Sequence, residues 1–163
     1  MAVTGITFSE RRNMELSFLN YITTQIDASW TNVTVVKTFK EVFAKNVKLP
    51  VICVEQDNVN SVRRELGSTT LEKRHLLSLD IFVTSEAMRL DLADFILNQL
   101  ETGWVYNAYA RTSGSQTELT GTPDGRVTVT DFLIDQKVDA VENSNPRERY
   151  RHTISVNARR GSQ

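Results

Sequence analysis

Residues 71–103 read LEKRHLLSLDIFVTSEAMRLDLADFILNQLETG, and this stretch decides the fold class. Its first part, 71–84, alternates: His75, Leu77, Leu79, Ile81 and Val83 fall on one face, and Arg74, Ser78 and Asp80 on the other. Alternation at period two is the mark of a strand with one face in the core. At Ser85 the period changes. Met88, Leu92, Phe95, Ile96, Leu97 and Leu100 recur at three- and four-residue steps, Ser85 is a suitable N-cap, and Gly103 is a suitable stop. A strand passing directly into a signalled helix fits an α+β plan.

The flanks favour α+β. Upstream, Ser9 and Glu10 open a pattern carrying Leu16, Leu19, Ile22 and Ile26, with Phe18 and Tyr21 widening the stripe. This predicts an amphipathic helix over 10–26. Val33 and Val35 suggest a short strand; Phe39, Val42 and Phe43 suit either one helical turn or a bulged continuation of that strand. Pro50 introduces VICVE, a buried strand, and polar residues 56–70 read as a loop. Downstream, 104–111 suits a strand. Residues 112–125, rich in Ser, Thr and Gly, read as a second loop closing on the turn Thr122-Pro123-Asp124-Gly125. Two further strands are expected at 126–135 and 148–158, joined by polar residues 136–147. The expectation is one domain over 1–163: an antiparallel-rich mixed sheet, two main helices on one face, and long polar loops.

Composition narrows the function classes. Nineteen Lys and Arg against twenty Asp and Glu give a formal net charge of −1, which argues against a global grip on nucleic acid. The start, MAVTGITFSERRN, lacks a signal-peptide pattern, and no apolar run is long enough to span a membrane. Cys53 is the only cysteine, so no disulfide forms within the chain, and a reducing cytoplasm is expected. Without a secretory signal, the sequon at Asn32-Val33-Thr34 reads as a chance match.

The two histidines lie in matching phrases, RHLLSL at 74–79 and RHTISV at 151–156. In each, the Ser three residues after the His falls on the opposite side of a strand, which removes a Ser–His catalytic pair. His75, His152 and Cys53 include no close-spaced pair to nucleate a zinc site. The expectation for each histidine is a half-buried place near a sheet edge. Asp91 and Asp94 fall on the solvent side of their helix. No phosphate-binding, metalloprotease or nucleophile-elbow motif is present. No catalytic residue, metal or cofactor is therefore expected.

Charge is arranged in blocks. Asp131, Asp135, Asp139 and Glu142 are followed by Arg147, Arg149, Arg151, Arg159 and Arg160. Either neighbouring strands pair these charges across a hairpin, or acidic and basic edges meet between subunits. Nucleic-acid binding by the arginines ranks lower, because exposed aromatics interleaved with them are lacking.

The segments KLPVICVEQ, ELGSTTLEKRHLLSLDIFVTSEAMRLDLADFILNQLETG and YRHTISVNAR, in this order, resemble the tail terminator, or tail-completion, proteins of tailed bacteriophages. The likeness runs from Lys48 onward and lies in pattern rather than in an invariant motif. It implies a virion protein, assembled in the host cytoplasm. Its subunits would form a ring, with a hexamer expected, at the head-proximal end of the tail. That ring would stop growth of the tail tube protein and dock the head–tail connector. Another neck protein, a head-completion or adaptor factor, is the alternative; a small enzyme or nucleic-acid-binding module stands further off. The family offers no catalytic residues to carry over. The candidate interface residues are Arg63, Arg64, Asp131, Asp135, Arg147, Arg149 and Arg151.

Overall fold

A six-stranded sheet of order β1-β2-β3-β6-β5-β4 organises the chain, here as a computed structural model describing residues 8–63, 66–67, 69–111, 119–142 and 144–161. The elements run α1 (Glu10–Ser29), β1 (Thr34–Val36), α2 (Phe39–Val42), β2 (Val51–Arg63), β3 (Leu71–Val83), α3 (Glu86–Thr102), β4 (Trp104–Arg111), β5 (Leu119–Val138) and β6 (Tyr150–Gly161). A 3-10 turn, Pro146–Glu148, precedes β6. Among the described residues, only β1 and β2 are parallel; every other neighbouring pair is antiparallel. The fold is α+β with a mixed sheet, as the sequence predicts.

β3 and β6 occupy the centre, with His75 opposite Ala158, Ser78 opposite Ser155 and Ile81 opposite His152. The two similar phrases are therefore laid against each other about the Ser78–Ser155 pair. On one face, Leu77, Leu79, Ile81, Ile154 and Val156 meet Met14, Phe18, Ile22 and Ile26 of α1 and Leu92, Ile96 and Leu100 of α3. Both long helices thus lie on one side of the sheet. On the other face, a smaller cluster of Val36, Val42, Val51, Cys53 and Phe82 forms under the segment containing α2. That segment is a helical turn, the first of the two forms allowed by its sequence.

Local chemistry sets the helix ends. Ser9 Oγ accepts from the Arg12 amide and Ser85 Oγ from the Met88 amide, satisfying N–H groups that a helix leaves free. Gly103, at φ 67, ends α3, and a Cβ there would collide with the Val127 carbonyl oxygen. α1 runs on to Ser29, past the predicted end at 26. Its buried stripe is Met14–Phe18–Ile22–Ile26 with Asn13 and Ser17, and Leu16 is only half-buried.

Parts of the predicted loops are strand instead, while their residues 64, 65, 68, 112–118 and 143 lie outside the described residues. β2 runs to Arg63, paired with β3 as far as Arg63 opposite Leu71, so much of 56–70 is strand. β5 begins at Leu119, and Thr122 and Pro123 pair with Ala108 and Asn107 of β4, where a turn was expected. Pro123 is tolerated because this half of β5 has β4 on one side only, among the described residues. β5 also continues to Val138, into the expected connection. These stretches carry polar side chains on both faces, so backbone pairing holds them without an apolar stripe to announce them.

Candidate functional site

The histidines are core residues of the two central strands. His75 is fully buried and His152 is 6% exposed, which corrects the expectation of half-buried positions near an edge. A carboxylate and a donor make the difference in each case. The His75 ring spans Gln56 Nε2 at 3.3 Å on Nδ1 and Glu10 Oε1 at 3.2 Å on Nε2. The His152 ring spans Arg89 Nη1 at 2.5 Å on Nδ1 and Asp135 Oδ1 at 2.6 Å on Nε2. A guanidinium can only donate, so Nδ1 of His152 accepts and the ring proton on Nε2 is donated to Asp135. Burial pushes the His75 imidazole below its usual value, opposed by the Glu10 carboxylate.

Ser78 and Ser155 hydrogen-bond to each other at 3.0 Å on the opposite face, and Ser78 donates to Asp57 at 2.6 Å. Neither serine approaches a histidine, as strand parity requires. Burial, then the Glu55 carboxylate, pushes the Cys53 thiol up to about 12, so it stays protonated and is a poor nucleophile. Among the described residues, no group of three or more His, Cys, Asp or Glu is placed to hold a metal ion. Among them, too, no helix is long and apolar enough to cross a membrane.

The candidate interface residues divide into three groups. Arg63 ends β2, exposed and without an ion pair among the described residues, while Arg64 lies outside them. Asp131 and Asp135 lie on β5, both exposed. Asp131 sits 3.8 Å from Arg74, and Asp135 receives His152. The arginines around the start of β6 contact residues of their own chain. Arg147 donates to the Val42 carbonyl at 2.6 Å, Arg149 lies over Tyr150, and Arg151 contacts Asp80 at 2.9 Å and Glu148 at 3.5 Å. Arg151 also lies over the rings of Phe39 and Phe82. Its role is to fasten β6 to β3 and to the α2 segment.

The acidic and basic blocks mostly avoid pairing with each other. Arg159 reaches Glu72 of β3 at 3.0 Å, and Arg151 also reaches β3. Among the described residues, His152–Asp135 and Arg160–Asp124 tie β6 to charged side chains of β5. Hydrogen bonds from Arg74 and then Arg159 hold the Glu72 carboxyl below its usual range.

Sequence reasoning missed two features. Arg89 lies on the buried side of α3, forked onto Glu86 at 2.7 and 3.1 Å and donating to His152. Its signal was a charge three residues before Leu92 on the apolar stripe. Asn13 and Ser17 of α1 close the outer edge of β4. Asn13 Oδ1 accepts from the Tyr109 amide at 3.0 Å, and Ser17 Oγ accepts from the Asn107 amide at 2.9 Å. The Phe8 amide adds a bond to the Tyr109 carbonyl. Polar residues inside a predicted apolar stripe were the visible trace of that contact.

No family model matches the chain, and comparison with curated proteins gives no match.

Proposed function

We propose that this chain is a structural virion protein that caps the head-proximal end of a phage tail tube as a ring. It ends polymerisation of the tube protein and gives the head connector a surface to dock on. One observation carries the assembly part of this reading. Every residue of β5 from Asp131 to Lys137 is exposed, including three successive apolar side chains, Phe132, Leu133 and Ile134. A run of that kind on a water-facing strand marks a surface that meets another chain. The tail location rests on the resemblance in the sequence from Lys48 onward. Polar chemistry inside the molecule is consistent with it: histidines, serines and arginines are taken up in holding strands and helices together.

Deleting the protein from its phage and imaging the particles tests the assignment. Overlong tails without heads are the expected outcome. Normal tails beside unjoined, leaking heads would move the protein to another neck position, a head-completion or adaptor factor.

A further inference from the structure

The lateral edges of the sheet are unequal. β4 is closed by Asn13, Ser17 and Phe8, and β1 covers only Val51, Ile52 and Cys53 of β2. Among the described residues, and leaving the outermost strands aside, the two longest stretches paired on one side only are residues 55–63 of β2, held by β3, and residues 128–138 of β5, held by β6; residues 119–125 of β5 and 71–74 of β3 are shorter ones. An open strand edge presents a row of N–H and C=O groups ready for another strand, and proteins normally blunt it. Here one edge has been blunted by a helix, while the open β5 edge carries Phe132, Leu133 and Ile134 at 45%, 52% and 39% exposure.

We infer that residues 128–138 of β5 pair with residues 55–63 of β2 from a second copy of this chain, extending the sheet head to tail from subunit to subunit. Strand direction permits it. β5 runs opposite to β6, β6 opposite to β3 and β3 opposite to β2, so β5 and β2 run in opposite senses within a subunit. Two copies side by side in the same orientation therefore bring these edges together antiparallel, the sense joined by regular perpendicular hydrogen bonds.

Charge selects this partner over the obvious competitor. Two β5 edges meeting about Leu133 would set Asp131 of each copy against Asp135 of the other, a like-charge pairing that destabilises a ladder. The β2 edge offers Arg63 instead, unpaired among the described residues. The acids of that edge are engaged within the subunit: Glu55 accepts from the Phe39 amide at 3.0 Å, and Asp57 from Ser78 at 2.6 Å. Residues from different edges meet, so the contact is heterologous and can propagate into a ring. The inference deepens the proposed ring and rests on its premise of self-assembly, though not on the tail location.

Cross-linking separates the alternatives. In a Cys53→Ser background, Leu133→Cys and Ser61→Cys are made singly and together, then treated with a short bis-maleimide. The double variant should give a ladder extending beyond dimers, and neither single variant should be cross-linked. Dimers from Leu133→Cys alone would overturn the proposal in favour of β5 meeting itself. Independently, Leu133→Lys with Ile134→Lys should abolish assembly in sedimentation while leaving the melting temperature of the subunit unchanged. A wild-type chain that stays monomeric through the same concentration series would also overturn it. That last result would leave the particle-imaging test intact, since a tube end can recruit subunits one at a time.

Discussion

His75 and His152 answer to the same arrangement: a donor on Nδ1 and a carboxylate on Nε2, each buried under a helix. The consequences are stabilities rather than rates. Because burial holds His75 below its usual 6.5, the unfolded chain binds that proton more readily than the folded one. The stability tied to a neutral His75 is full above pH 6.5 and is lost as pH falls toward the lower folded value. Glu10 acts further down. Burial works against its charge, but hydrogen bonds from His75 and Lys73 hold its carboxyl below the usual 4.5, so its contribution is lost as pH falls below that value. Melting temperature should therefore drop in two stages on acidification, and His75→Gln should remove the upper stage. Arg89→Met leaves His152 Nδ1 without its donor and frees the Glu86 fork. Loss of a buried charged hydrogen bond predicts about 2–3 kcal/mol of destabilisation in denaturant titration. Gly103→Ala, with its positive φ and the Val127 carbonyl in the way, should cost at least about 1 kcal/mol in the same measurement.

At the scale of elements, the contact of α1 with β4 is the most consequential. Asn13→Ala with Ser17→Ala strips the partners from the Asn107 and Tyr109 amides. Each unsatisfied backbone group costs about 1–3 kcal/mol, and hydrogen exchange at those two amides should accelerate ahead of the rest of the sheet. This element also shows what a sequence displays and conceals. β3 was legible because one face is apolar throughout its inner half, and α3 because both ends carry caps. The outer halves of β2 and β5 were not legible. Their side chains are largely solvated on both faces, so no period-two signal arises, and their strand form depends on β3, β4 and β6 lying alongside. The charged blocks were legible in composition, but their partners were not. Arg151 finds Asp80, a residue 71 positions away, across a strand pairing that no local pattern reveals.

For the whole molecule, those pairings sort the candidate interface. Arg151 is integral to the fold, so its charge reversal should unfold the chain rather than test assembly. Arg149, whose side chain is held only by its contact with Tyr150 among the described residues, is the better probe. Arg149→Glu should leave the melting temperature within about 0.5 kcal/mol of wild type in equivalent stability, as expected of surface changes. If that end of the sheet meets a partner, the same variant should weaken assembly in sedimentation. The heights of the open strand edges have a further geometrical consequence. Through the central strands, Val129 and Ile134 of β5 lie level with Val59 and Glu55 of β2, so the unpaired stretches overlap only in part, that of β5 running on beside the start of β6 at Arg151 and that of β2 beside the start of β3 at Leu71. Subunits joined through these edges are therefore staggered along the strand direction. A level ring can absorb such a stagger only if its strands lean relative to the ring axis, as they do in a closed barrel. Without that lean, each added subunit climbs, and the assembly becomes a spiral.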